Sequence, residues 1–142
     1  MQIAIAADHG GFELKETLKK HYNQLNLLDL GTFSTDSVDY PDIAHKMAQA
    51  ILNKQADLGI LICGTGVGIS IAANRHKGIR AALIYNEDVA RLAKEHNNAN
   101  VLVFGGRTMS VADVIKYIDI FMASEFAGGR HQKRIEKIDI ME

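Results

Sequence analysis

Gly59-Ile60-Leu61-Ile62-Cys63-Gly64-Thr65-Gly66-Val67-Gly68-Ile69-Ser70-Ile71-Ala72-Ala73-Asn74-Arg75 is the stretch from which the fold can be read. Ile60, Leu61 and Ile62 make an unbroken apolar run ending in the only cysteine, the pattern of a parallel strand covered on both faces. Gly64, Gly66 and Gly68 follow at alternate positions, and Ile69, Ile71, Ala72 and Ala73 then suit a helix. A turn free of Cβ atoms can present backbone N–H groups to an anion, assisted by the positive end of the helix dipole. The segment is therefore expected to be an anion cradle beside a thiol.

Glycine-rich strand-to-helix turns serve several chemistries, and the neighbouring residues discriminate among them. A P-loop needs Gly-Lys-Ser/Thr at its end, whereas Gly68 is followed by Ile69 and Ser70. The dinucleotide fingerprint Gly-x-Gly-x-x-Gly fails because the third glycine falls one residue early. A cysteine phosphatase would need an arginine six positions after the cysteine, where this chain has Ile69.

Working outward, Gln2–Ala7 reads as a first strand, Asp8-His9-Gly10-Gly11 as a polar turn and Phe12–Tyr22 as a helix with Leu14, Leu18 and Tyr22 on one face. Asp8 and His9 fall beyond the carboxyl end of that strand, where open α/β sheets bind ligands; helix capping by Asp8 is the competing reading. Leu25–Leu30 is expected to be a second strand, followed by a polar loop over Gly31–Asp39. Tyr40-Pro41-Asp42 then opens a helix buried through Ile43, Met47, Ala50 and Ile51, and Tyr40 either borders a pocket or packs.

Asp57–Cys63 is the third strand with its helix over Val67–His76, and Ile79–Tyr85 the fourth, followed by a helix around Asp88–His96. Asn97, Asn98 and Asn100 form a turn before a fifth strand, Val101–Phe104, and the Gly105-Gly106-Arg107 that ends it. A long helix over Val111–Phe126 leads to Gly128-Gly129 and a short basic helix in which Arg130 and Arg134, four apart, can face one anion. A solvated charged tail is the other reading of that run, but Ile135, Ile138 and Ile140 point to docking, with a partner subunit the economical target. Five strands alternating with helices imply right-handed crossovers and a three-layer α/β/α sandwich with a parallel sheet.

At 142 residues and 47% hydrophobic content, one domain spanning residues 1–142 is expected. A net charge of −1 gives no general attraction to nucleic acid or an anionic membrane. Met1–Ala7 is too short for a signal sequence and nothing approaches the about 18 apolar residues of a membrane span, so a cytoplasmic protein is expected. A lone cysteine makes no internal disulfide, and the six histidines show no metal-ligand spacing, so neither metal nor cofactor is expected.

Asp8-His9-Gly10-Gly11, Tyr40-Pro41, Cys63 through Asn74, His96-Asn97, Asn100-Val101 and Gly128-Gly129-Arg130-His131 together resemble the type B ribose-5-phosphate isomerases, in the family's order and over essentially the whole chain. The resemblance implies a Rossmann-like fold and a homodimer, or dimer of dimers, with active sites at the subunit interface. It also implies metal-free interconversion of D-ribose 5-phosphate and D-ribulose 5-phosphate in the pentose phosphate pathway. Cys63 matches the base that moves a proton between C2 and C1, with the backbone of Gly64, Gly66, Val67 and Gly68 stabilising the enediolate.

Thr65, with His96 or His9, matches the ring-opening group, and the sequence leaves open which histidine leads. Asp8 would hold sugar hydroxyls, and Arg107, Arg130 and Arg134 would grip phosphate with His9 nearby. Tyr40 and Asn97 complete the implied site, and His96 and Arg107 are expected from the partner chain. Some members lack the cysteine and carry glutamate at the position of Ile69; this chain, with Cys63 and Ile69, resembles the cysteine-dependent kind. The rival readings are an isomerase of allose 6-phosphate or galactose 6-phosphate and, more remotely, a non-catalytic sugar-phosphate-binding module.

Overall fold

The computed structural model describes residues 1–139, so Ile140 lies outside the described residues. Five parallel strands form one sheet: β1 (Ile3–Ala7), β2 (Leu28–Asp29), β3 (Leu58–Cys63), β4 (Ala81–Leu83) and β5 (Val101–Gly105), in the order β2-β1-β3-β5-β4. The helices are α1 (Phe12–His21), α2 (Tyr40–Leu52), α3 (Val67–Ala73), α4 (Glu87–Glu95), α5 (Val111–Ala123) and α6 (Arg130–Glu136). The order reverses direction beside β1, which opens a crevice at the carboxyl ends of β1 and β3.

The side-chain alternation of the central strands explains the three layers. Ile3, Ile5, Ile60, Ile62, Leu102 and Phe104 face one way, against Leu14 and Leu18 of α1, Ala90 and Ala93 of α4 and Val114, Ile118 and Phe121 of α5. Ala4, Ala6, Leu61, Cys63, Val101 and Val103 face the other way, against α2 and α3 through Ile43, Met47, Ile69 and Ala73. Both faces are dry, which is why the strand sequences read as continuous apolar runs.

Differences from the sequence expectation concentrate at the sheet edges. The expected strand over Leu25–Leu30 shrinks to Leu28–Asp29, because Asn23–Leu25 forms a 3₁₀ turn closed by Asn26 at φ 52°. The strand expected over Ile79–Tyr85 is Ala81–Leu83, and α3 and α5 stop at Ala73 and Ala123 rather than His76 and Phe126. Among the described residues no helix is long and apolar enough to cross a membrane.

One interior charge was not foreseen. Lys15 on α1 is fully buried, its Nζ bonded to Asp29 Oδ2 at 2.6 Å and Glu16 Oε2 at 2.8 Å, with the Phe12 and Phe33 rings 5.3 and 5.4 Å away. Lys19 also reaches Asp29, at 2.7 Å, and Gly31 donates its N–H to the other carboxylate oxygen. Burial alone would raise the Asp29 carboxyl, but the hydrogen bonds from Lys15, Lys19 and Gly31 outweigh it and hold the group below its ordinary range.

A carboxylate depressed on folding stabilises the protein above its unfolded pKa, and that stability is lost as pH falls through the lower folded value. Asp29→Asn leaves Lys15 buried with one acidic partner, so denaturant unfolding at neutral pH should show a loss of about 3 kcal/mol. The gap between mutant and wild type should narrow as pH falls below the carboxylate range; a gap unchanged by acid would refute the assigned cause.

Candidate active site

Three loops meet where the central strands end. Asp8 follows β1, Cys63 ends β3 and Gly106-Arg107 follow β5, and backbone bonds weave the loops together. Asp8 N–H donates to Ile62 O at 3.1 Å, Gly106 N–H to Cys63 O at 2.8 Å and Arg107 N–H to Gly64 O at 2.9 Å. A Cβ on Gly106 would sit 2.6 Å from Gly10 O, and one on Gly10 would sit 3.1 Å from Gly64 N. These glycines permit backbone-to-backbone contact, which a larger residue would break.

The cradle begins at the sulfur. Cys63 is 5% exposed, and its Sγ accepts the Gly66 N–H at 3.1 Å, which fixes the sulfur against the turn. Gly66 takes φ 84°, a left-handed conformation suited to glycine, and a Cβ there would lie 2.6 Å from Leu83 Cδ1. Thr65 Oγ1 accepts the Val67 N–H at 3.2 Å, while among the described residues the N–H groups of Gly64 and Thr65 have no protein acceptor. The Tyr40 ring lies over Gly68, where a Cβ would come within 2.7 Å of it.

Asp8 is buried and accepts the Gly10 N–H at 2.9 Å; it shapes its turn and does not cap α1, whose N-cap is Gly11. His9 lines a cavity of about 310 Å³ with Gly10, Glu13, Thr35, Gly106 and Arg107. The Arg107 guanidinium also approaches Gly64 of the same chain, 3.4 Å from where a Cβ would stand. Arg107 thus accompanies its own chain's cradle.

The remaining candidates form a second group. His96, Asn97, Arg130, His131 and Arg134 line a separate cavity of about 330 Å³, closed by Ile135 and Ile138, which shares no lining residue with the first. His96 ends α4, and Gly128 and Gly129, at φ 67° and 56°, turn the chain into α6. The hinge is pinned where Ala127 N–H meets Glu95 O at 2.9 Å. Asp139 accepts the Gly78 N–H at 2.9 Å, which ties the last described residue to its own chain, while Ile138 stays 53% exposed.

His131 is the residue that sequence reasoning left off the site. Its ring stacks on His96 with centroids 4.1 Å apart and planes 13° apart. Burial pushes its imidazole below the ordinary histidine value, and the charges of His96, Arg130 and Arg134 act in the same direction. Its place after Arg130 in the glycine-led motif was the available signal. Among the described residues no group of three His, Cys, Asp or Glu could hold a metal ion.

The sequence model described as Ribose/Galactose Isomerase matches residues 3–138. The chain belongs to this isomerase family. Curated members include ribose-5-phosphate isomerase B of Escherichia coli, 42% identical with 99% of this chain and 96% of that protein aligned. A putative sugar phosphate isomerase of Rickettsia bellii is 49% identical, with 96% of each covered. Among solved structures, the ribose 5-phosphate isomerase of Thermotoga maritima superposes with a TM-score of 0.94 at 54% identity, covering 97% of both chains. Ribose-5-phosphate isomerase B of Mycoplasma genitalium, solved with bound ribulose-5-phosphate, gives a TM-score of 0.90 at 48% identity, covering 96% of this chain and 93% of that one. The fold of this isomerase family is therefore the fold described above.

The close loop packing predicts the cost of disturbing it. Gly106→Ala forces a Cβ against the Gly10 carbonyl and within 3.0 Å of Gly11 Cα, neither of which is a flexible side-chain end. Denaturant unfolding should show a loss of about 1–3 kcal/mol. A neutral substitution would mean that the loops can separate.

Proposed function

We propose that the chain interconverts D-ribose 5-phosphate and D-ribulose 5-phosphate through an enediolate, as a sugar-phosphate isomerase of the cytoplasm. The observation that carries this reading is the Cys63 sulfur, held by the Gly66 N–H at the mouth of a glycine turn with the Arg107 guanidinium beside Gly64. Family membership and the ribulose-5-phosphate bound to the Mycoplasma genitalium relative support the substrate class.

In the opened aldose the C2–H bond breaks and its proton passes to the Cys63 thiolate. The sulfur returns a proton to C1 while a proton moves from O2 to O1, which gives the ketose. Charge that develops on the two oxygens meets the unpartnered N–H groups of Gly64 and Thr65, preorganised donors of the oxyanion-hole kind. Thr65 with a histidine exchanges the ring and anomeric protons, Asp8 and Tyr40 frame the sugar, and the arginines hold phosphate. The steps so written need no metal or redox cofactor.

That the two groups of candidate residues line cavities with no residue in common supports a site assembled from two copies of the chain. In this reading His96, Asn97, Arg130 and Arg134 of one protomer complete the Cys63 site of its partner, in a homodimer or a dimer of dimers. The isologous symmetry of such a dimer gives two equivalent sites.

Phosphorus NMR of the protein with D-ribose 5-phosphate should show approach to an aldose–ketose mixture. Cys63→Ala should lower turnover by about 10²–10⁴-fold, the usual contribution of a positioned base, with binding largely kept. Retained turnover overturns the base assignment, and conversion of D-allose 6-phosphate or D-galactose 6-phosphate alone overturns the pentose assignment. Subunit exchange tests the shared site: remixing inactive Cys63→Ala and His96→Ala proteins restores one intact site per mixed dimer, roughly a quarter of all sites for random pairing. Recovery of no activity would mean that each chain builds its own site.

A further inference from the structure

Val38 donates its backbone N–H to Nδ1 of His9 across 3.2 Å. A neutral imidazole carries one N–H and one bare nitrogen, and a nitrogen that accepts a hydrogen bond holds no proton. His9 is therefore the Nε2–H tautomer in this arrangement. A doubly protonated ring would set N–H against N–H and lose the bond.

The segment making this contact is built as a strap. At one end Thr32 N–H is held by Ala7 O at 2.7 Å, and at the other Val38 packs against the α2–α3 side of the core. Residues 33–37 between them are exposed, with one local bond from Asp36 N–H to Ser34 Oγ. Among the described residues, the Val38–His9 bond is the only hydrogen bond tying the backbone of 33–38 to the rest of the chain. Thr35 of the same strap lines the cavity with His9, Glu13 and Arg107.

We propose that the Thr32–Val38 strap is a positioning element that fixes His9 as an Nε2–H hydrogen-bond donor toward the sugar phosphate. Proton transfer in ring opening then falls to Thr65 and His96. The inference rests on the isomerase reading for its ligand, but the tautomer itself does not. A ring whose Nδ1 is occupied by Val38 has one polar atom left for a ligand, and that atom donates. With the Arg107 guanidinium in the same cavity it makes a pair of donors suited to an oxygen-rich anion. The charged groups nearest the ring along the chain and in the cavity are Asp8 (engaged by Gly10), Glu13 and Arg107, with Asp36 on the strap and Asp39 at the N-cap of α2.

The two nitrogen positions can be separated by substitution. In His9→Asn the amide oxygen stands near the Nδ1 position and can accept from Val38, with nothing at Nε2. In His9→Gln the amide nitrogen reaches the Nε2 position, with no acceptor at Nδ1. Nitrogen-15 NMR of histidine-labelled, ligand-free protein at neutral pH should show a bare Nδ1 and a protonated Nε2 for His9. His9→Asn should keep the Val38 amide protected from hydrogen exchange while weakening D-ribose 5-phosphate binding about 10-fold, the scale of one lost hydrogen bond to a charged group. His9→Gln should show the reverse, an unprotected Val38 amide with binding within about threefold of wild type. A protonated Nδ1, or both readouts lost together in both variants, overturns the proposal. If the wild-type protein binds no D-ribose 5-phosphate, the isomerase reading fails, while the tautomer and the Val38 exchange still decide the strap's role.

Discussion

The site depends on one steric constraint, that three loops touch backbone to backbone beyond the sheet. Gly106 lies against Gly10, and Gly10 against Gly64, at separations that leave no room for side chains. This contact carries the ends of β1, β3 and β5 into one place, and with them Asp8, Cys63 and Arg107. The parallel register behind it runs five residue pairs deep on each side of β3, from Ile3↔Leu58 to Ala7↔Ile62 and from Gly59↔Val101 to Cys63↔Gly105. A register slip would turn the Cys63 side chain to the other face of the sheet and remove it from the α2–α3 layer.

Charge is distributed to suit this geometry. The buried Lys15 ties α1 to the β2 edge through Asp29, and among the described residues the cradle keeps the N–H groups of Gly64 and Thr65 without a protein acceptor. The second group of site residues is cationic, with Arg130 opening α6, Arg134 in its last turn and the stacked imidazoles of His96 and His131 beside them. Burial, with the charges of His96, Arg130 and Arg134, pushes the His131 imidazole below its ordinary value. The thiol, the unpartnered N–H groups and the buried Asp8 carboxylate in one group, and the cations of α6 in the other, form the division that the proposed shared site would reunite.

The central strands were legible because burial on both faces leaves an apolar run that few other elements show. The edge strands were not, since pairing on one side alone lets Leu25 leave the sheet for an exposed turn. The cradle was legible from Cys63 and its alternating glycines, because only a close backbone approach asks for that pattern. The burial of Lys15 depends on Asp29 and the Phe33 ring, contacts with segments distant in the chain. The Val38–His9 bond and the His96–His131 stack are likewise meetings of distant segments, with no local pattern to announce them.

Carbon-bound hydrogen exchange tests the central claim, that the Cys63 thiol moves a proton between C2 and C1, most directly. D-ribose 5-phosphate is brought to equilibrium by the protein in deuterium oxide and the sugar phosphates are analysed by mass spectrometry. The account predicts deuterium bound to carbon with the wild-type protein, and incorporation with Cys63→Ala slower by about 10²–10⁴-fold. Conversion to the ketose without carbon-bound deuterium, or the same exchange in the absence of the thiol, would contradict it.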